Sequence, residues 1–410
     1  MEKAPKSMRV QIALFGRTNV GKSSFLNMIA NQDVAITSEV PGTTTDIVEK
    51  SMELLPIGPV NFLDTGGIDD KSLLSEKRIE RAMKILDRAD IAVLIVENSI
   101  WTDYEEDLIR AFKKVKIKFI IAVNKIDLNT TANEFLLLLQ SKSDRILLCS
   151  STDLVNREKY VIEFKNLLLE ILPEEYTNPL PLIRDLIPKN GTAILIIPID
   201  KEAPKGRIIL PQVQTIRDIL DNDSISIMVK QSEYLQVLST FKSKPDIVVC
   251  DSQVVDFMVE NTPDDVPCTT FSILFSRFKG DLVEEVKGIT ALKNLKKGDK
   301  VLIAEACSHH PNEDDIGRVK IPRLLRQFVG IELEIDVVSG RDYPKNISDY
   351  SVIIHCGGCM LTRTEKLVRI QKAKQAGVPI TNYGLAISLF KGVLERVLTP
   401  FKDGLKDIYF

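Results

Sequence analysis

Arg9 to Phe15 is a β-prone apolar run that leads without a break into Gly16-Arg17-Thr18-Asn19-Val20-Gly21-Lys22-Ser23-Ser24, and a helical pattern follows from Phe25 to Ala30. G-x-x-x-x-G-K-S in a strand-loop-helix setting is a phosphate-binding loop, and it commits the start of the chain to an α/β sheet with the loop at the end of a strand. Its glycines let backbone N–H groups turn inward on phosphates, Lys22 reaches the β and γ phosphates, and the Ser23 hydroxyl binds Mg2+. Gly16, Asn19, Val20, Gly21, Lys22, Ser23 and Ser24 are therefore the expected phosphate-side contacts.

The other parts of a nucleotide site follow in order. Pro41-Gly42-Thr43-Thr44-Thr45-Asp46 is a polar loop from which Thr44 can reach Mg2+ and the γ phosphate. Val60 to Leu63 reads as a strand ending in Asp64-Thr65-Gly66-Gly67, where Asp64 can hold the metal through water and the Gly67 N–H can face the γ phosphate. Lys22, Thr44, Asp64 and Gly67 form the expected catalytic set. Ile91 to Val96 and Phe119 to Val123 are further strand patterns, the second ending in Asn124-Lys125-Ile126-Asp127. Asp127 can accept from guanine N1–H and the 2-amino group, neither of which adenine offers, so GTP is the expected nucleotide. Ile146 to Leu148 leads into Cys149-Ser150-Ser151-Thr152, a further base-side loop with Ser150 and Ser151 as contacts. Any one of these stretches could be an ordinary turn, but their order, each after a strand, makes coincidence improbable.

Ile68 stands where Ras-like GTPases carry the glutamine that orients the attacking water, so hydrolysis is expected to be slow or helped by another group. Asn19 resembles the asparagine of potassium-activated GTPases of the tRNA-modification and ribosome-assembly type. That likeness implies K+ at Asn19 in the role of an arginine finger.

At 410 residues the chain is too long for one ordinary core. Pro173 to Pro181 breaks a helix and Pro188-Lys189-Asn190-Gly191 restarts the chain, giving expected bounds of 8–172, a linker at 173–190, and further units at 191–268 and 269–410. The middle unit alternates strand runs (Ala193 to Ile199, Ile225 to Val229, Asp246 to Cys250) with helical ones, as a small α/β domain suited to self-association. Cys250 and Cys268 are isolated in it and read as packed apolar residues. A net charge of -3 gives no reason to expect nucleic acid or an anionic membrane as partner. No apolar run reaches the roughly 20 residues of a bilayer span, and Met1 to Ser7 does not resemble a leader, so a cytoplasmic protein is expected.

In the last unit, strand patterns at Lys300 to Ala306, Glu332 to Val338, Tyr350 to Ile354 and Val378 to Thr381 surround helical ones at Arg318 to Phe328 and Thr364 to Ala376. The chain's three histidines and three of its six cysteines lie in Cys307-Ser308-His309-His310 and His355-Cys356-Gly357-Gly358-Cys359. Parallel strands would bring both segments to one rim, where open α/β sheets bind ligands. Spacing leaves structural zinc and an iron-sulfur cluster equally open. Three thiolates leave one iron of a cubane short of a ligand, a place that His309, His355, His310, water or a carboxylate among Glu313, Asp314 and Asp315 could take.

Together, the potassium-type GTPase stretch, the middle α/β unit and the Cys-x-His then His-Cys-x-x-Cys signature resemble the HydF family, the GTPase scaffold of iron-iron hydrogenase maturation. The likeness spans the whole chain. It implies three α/β domains: a GTP-binding domain, a dimerisation domain and an iron-sulfur domain. It implies a 4Fe-4S cluster on Cys307, Cys356 and Cys359, with His309 and His355 matching the motif as candidates for the exchangeable ligand. It also implies a two-iron precursor as cargo, made with two radical-SAM maturases and delivered to the apo-hydrogenase by a homodimer. The rival is a ribosome- or RNA-associated GTPase with a structural zinc ion.

Overall fold

The computed structural model describes residues 5–31, 48–64, 75–178, 180–199, 208–306, 315–340, 343–344, 346–406 and 408. The chain divides into two compact units, Met1–Pro179 and Leu180–Phe410. Among the described residues no helix is long and apolar enough to cross a membrane.

The first unit is built on a sheet of β1 (Val10–Phe15), β2 (Val48–Leu54), β3 (Gly58–Asp64), β4 (Ile91–Glu97), β5 (Lys118–Asn124) and β6 (Ile146–Leu148), in the spatial order β2-β3-β1-β4-β5-β6. Only β2 runs antiparallel to its neighbour. All six residues of β1 are buried, as a central strand covered on both faces requires. Register decides what the sheet's carboxyl edge carries. Leu14 pairs with Asp64 and Glu97 with Asn124, so Gly16, Asp64 and Asn124 emerge along one rim. The segment after Leu172, expected to be linker, carries a short helix, Glu174–Thr177. Its Tyr176 hydroxyl donates to Asp90 Oδ2 at 2.7 Å, which ties this segment to the first unit.

The second unit holds two four-stranded parallel sheets. One contains β7 (Thr192–Ile196), β8 (Ile225–Val229), β9 (Ile247–Cys250) and β10 (Cys268–Thr270) in the order β10-β9-β7-β8. The other contains β11 (Lys300–Ala304), β12 (Glu334–Val338), β13 (Val352–His355) and β14 (Ile380–Asn382) in the order β12-β11-β13-β14. Each has its own strands, but the core is shared. Ile194 and Val248 of the first sheet, Ile273 and Leu274 of the intervening helix, and Val301, Ile303, Val352 and Ile354 of the second sheet belong to one apolar cluster. The alternate residues Leu302, Ala304 and Ile353 face a separate cluster with Ile370 and Ala373, the period-two division expected of strands buried on both faces. Cys250 and Cys268 are fully buried, and burial pushes both thiols up, as expected of packing residues.

The Leu282–Lys293 helix lies almost flush on β14. A Cβ added at Gly288 would stand 2.0 Å from the Ile380 carbonyl oxygen, so only glycine permits this approach. The close packing holds Glu285, about one turn earlier on the same face, against the carboxyl end of the sheet.

Candidate functional site

The nucleotide side is held together by backbone that few residues could supply. Gly21 caps the Lys22–Ala30 helix at φ +95°, and a Cβ there would meet Asn124 Nδ2 at 2.3 Å. The Asn124 amide fills that space: its Nδ2 donates to the Val20 carbonyl at 2.8 Å. Its Oδ1 accepts from both Ser151 N and Ser151 Oγ at 2.9 Å. Asn19 is exposed at φ +65°, and Ser23 and Ser24 are exposed at the start of the helix. Lys22 Nζ donates to the carbonyls of Gly16 (2.6 Å) and Arg17 (3.0 Å), within the loop whose phosphates it is expected to meet. Asp64 ends β3, nearly buried. Lys125 stands at φ +63° with its ammonium 3.0 Å from Glu97, and Asp127 is exposed beside it. Ser150 is buried and shares a hydrogen bond of 3.3 Å with Thr152. Thr44 and Gly67 lie outside the described residues, as does Ile68.

Sequence reasoning missed one support of this loop. Arg17 Nε donates at 2.7 Å to Glu105, whose side chain is fully buried. The other Glu105 oxygen accepts from Thr102 N at 2.8 Å, completing the capping box of the Asp103–Val115 helix. The Thr102-x-x-Glu105 spacing was legible, but its second partner, 88 positions earlier in the chain, was not.

At the other end of the chain the thiols sit on the rim of the β11-β13 sheet. Ala304 pairs with His355, Cys356 N donates to the Ala304 carbonyl at 2.9 Å, and Ala306 N lies 3.1 Å from Cys356 Sγ in hydrogen-bonding geometry. Cys356 and Cys359 are half-buried, with Gly358 between them at φ +66°, and burial pushes the Cys359 thiol up. Cys307, His309, His310, Glu313 and Asp314 lie outside the described residues, and among the described residues no three His, Cys, Asp or Glu side chains gather around a metal-sized space. Asp315 accepts from Arg318 N at 2.8 Å as the cap of the following turn.

His355 is turned into the protein, and its ring is fully buried. Its Nε2 lies 2.8 Å from Glu285 Oε1, and Lys366 Nζ lies 3.2 Å from the same oxygen. The other Glu285 oxygen accepts from Ser276 Oγ and Asn382 Nδ2. Burial alone would raise the Glu285 carboxyl, but Lys366, His355 and Ser276 outweigh it and hold the group well below the usual carboxylate range. Burial lowers His355 against the pull of Glu285. A carboxylate facing Nε2 makes that nitrogen the donor, leaving Nδ1 as the unprotonated one in the neutral ring. Nδ1 is buried with no hydrogen-bond partner.

Strand order, the phosphate loop and the Asn-Lys-Ile-Asp loop define the first unit as a P-loop GTPase domain, and a model described as 50S ribosome-binding GTPase matches residues 11–125. Models of the hydrogen maturase F dimerization domain and tetramerization domain match residues 182–280 and 283–400. The chain belongs to the hydrogen maturase F family, whose two domains together span more than half of it. Its three domains are all α/β, as expected.

Curated relatives cover under a third of this chain. The tRNA modification GTPase MnmE of Prochlorococcus marinus (strain NATL1A) is 40% identical over 121 residues, 29% of this chain and 26% of that protein. GTPase Der of Kosmotoga olearia is 34% identical over 125 residues, 29% of this chain and 28% of that protein. The chain thus spans about a quarter of the length of these relatives. Among solved structures, a probable GTP-binding protein engB matches 39% of this chain and 100% of that one at 19% identity, with a TM-score of 0.29. The G domain of the T. maritima FeoB iron transporter matches 38% of this chain and 99% of that one at 22% identity, also with a TM-score of 0.29.

Proposed function

We propose that this chain is the GTP-hydrolysing scaffold of iron-iron hydrogenase maturation. Its last domain holds a 4Fe-4S cluster on Cys307, Cys356 and Cys359 with one exchangeable position, and assembles or delivers the two-iron precursor to the apo-hydrogenase. The observation that carries this reading is the 3.1 Å contact from Ala306 N to Cys356 Sγ, because it joins the residue before Cys307 to the Cys-x-x-Cys loop. Backbone N–H donation to sulfur and a tight turn at Gly358 suit a thiolate-held centre. When bound, the cluster would supply an iron open to exchange.

At the nucleotide, Lys22 would hold the phosphates, Ser23, Thr44 and Asp64 would hold Mg2+, and the Gly67 N–H would serve the γ phosphate. Asn19 would hold a K+ that supplies the charge of an arginine finger, as in the potassium-activated GTPases it resembles. The Thr44 loop reports nucleotide state, gating the docking or release of two radical-SAM maturases and the hydrogenase rather than driving iron chemistry. Should GTP, GDP and no nucleotide give equal partner affinities, gating is wrong.

A second copy of the chain is the partner of the middle domain, in the region matched by the dimerization model. β8 is the outer strand of its sheet among the described residues, it carries no charge from Ile225 to Val229, and it exposes Ile225 (54%) and Met228 (52%). Such an edge invites pairing with another chain. Met228→Glu is expected to convert the dimer to monomer in light scattering, and an unchanged mass would place the interface elsewhere.

One anaerobic preparation tests the rest. Iron with acid-labile sulfide, lost in Cys356→Ala, and faster GTP turnover in KCl than in NaCl are the expected results. Stoichiometric zinc without sulfide would favour the ribosome- or RNA-associated reading, and equal turnover in both salts would remove K+ from Asn19.

A further inference from the structure

The Phe271–Lys279 helix ends at the boundary between the two regions matched by the family models, and its last residue reaches across that boundary. Lys279 is 2% exposed, and its ammonium donates to the carbonyls of Cys359 (3.2 Å) and Leu361 (3.1 Å). The grip is returned. Arg363, which begins the helix after the thiol loop, donates to the carbonyls of Phe278 (2.8 Å) and Gly280 (3.3 Å) at the end of the Lys279 helix.

An ammonium buried in this place is costly to desolvate, and an apolar side chain would fill the space without that cost. Packing alone therefore does not account for it. What the ammonium does that methyl groups cannot is fix two carbonyls of the thiol loop. The two cysteines are consequently held by different elements: Cys356 Sγ by the backbone after β11, and the Cys359 backbone by a helix that belongs to the dimerisation region. The same helix also grips the start of the second unit, through Arg277 to the Pro181 carbonyl (2.9 Å) and to Asp185 (2.6 Å).

We propose that Lys279, clamped reciprocally by Arg363, is a positioning residue for the thiol site, so that the placement of the dimerisation-region helix sets the spacing between Cys356 and Cys359. This rests on reading those cysteines as cluster ligands, and the test separates the two ideas. Full-length apo-protein is treated with iodoacetamide under reducing conditions and modification of Cys359 is followed by mass spectrometry. The same chains carrying the cluster are challenged with an iron chelator, and the EPR spectrum of the reduced cluster is recorded.

Lys279→Met is expected to speed alkylation of Cys359 by about tenfold or more, because two charge-assisted hydrogen bonds closing the loop are lost while relief of the buried charge offsets part of that loss. Iron release should quicken in parallel and the EPR spectrum should shift, while Lys279→Arg, which keeps the donors, recovers most of the difference. Arg363→Met should speed alkylation by a smaller factor, and it decides the matter if melting shows that Lys279→Met does not fold. Wild-type alkylation rates in these variants would overturn the clamp. Faster alkylation with unchanged iron release and EPR would overturn its role at the cluster. A wild-type chain without iron and sulfide would instead sink the cluster reading, with the alkylation arm still deciding the clamp.

Discussion

Replacing Asp127 with asparagine is expected to weaken GTP binding by about a hundred- to ten-thousand-fold, the loss of two charge-assisted hydrogen bonds to guanine. Asparagine presents one acceptor and two donors, which match xanthine with its N1–H and 2-oxo group, so xanthosine triphosphate should regain most of the affinity. Because Asp127 is exposed, its replacement should leave melting within about 0.5 kcal/mol of wild type, and the change will read as specificity rather than folding. Titration of wild type and Asp127→Asn with GTP, xanthosine triphosphate and ATP checks this. Undiminished GTP affinity in the variant would mean that another group reads the base.

Removing the buried carboxylate beneath the thiol rim should be as severe for stability. Glu285→Ala leaves Lys366 without its ion-pair partner in a fully buried place and takes an acceptor from His355, Ser276 and Asn382 together. Breaking such a pair from one side costs about 3–5 kcal/mol, on the order of 10 °C in the melting of the second unit. The double variant Glu285→Leu with Lys366→Met removes both charges and should recover a substantial part of the loss; a double variant no better than the single would refute the assignment of the cost to an orphaned cation. The wild-type pH dependence has one sign. Both Glu285 and His355 are depressed in the folded chain, so the unfolded chain takes up protons first as pH falls. Melting should begin to drop below about pH 6.5 through His355 and fall further below about pH 4.3 through Glu285.

The nucleotide rim was readable because each of its loops follows a strand whose apolar run is unmistakable, as in Ile91–Glu97 and Lys118–Asn124. The strands that escaped notice lacked that signal. Val48–Leu54 is an outer strand bearing Glu49, Lys50 and Glu53, and Cys268–Thr270 is only three residues long. More consequential was the Phe271–Lys279 helix. It is buried at Phe271, Ile273, Leu274, Phe275, Ser276 and Lys279, so no polar face gives it a helical period. With it went Ser276, Lys279 and, on the next helix, Glu285, the groups that underlie the thiol loop. The roles of Lys279 and Glu285 depend on partners about 70 to 100 positions away, such as Cys359 and Leu361 for Lys279 and His355 and Asn382 for Glu285, and no local pattern encodes such a pairing. His355 was legible as a polar residue beside a thiol pair, but its inward orientation depends on Glu285.

One amide has an effect larger than its size. Since Asn124 grips the phosphate loop through Val20 and the opposite loop through Ser151, the loops expected to serve the triphosphate and the purine are tied through one side chain. Energies measured for the two ends on separate fragments, a nucleoside and a pyrophosphate, will therefore not sum to that of the intact ligand, and Asn124→Ala should bring them closer to summing.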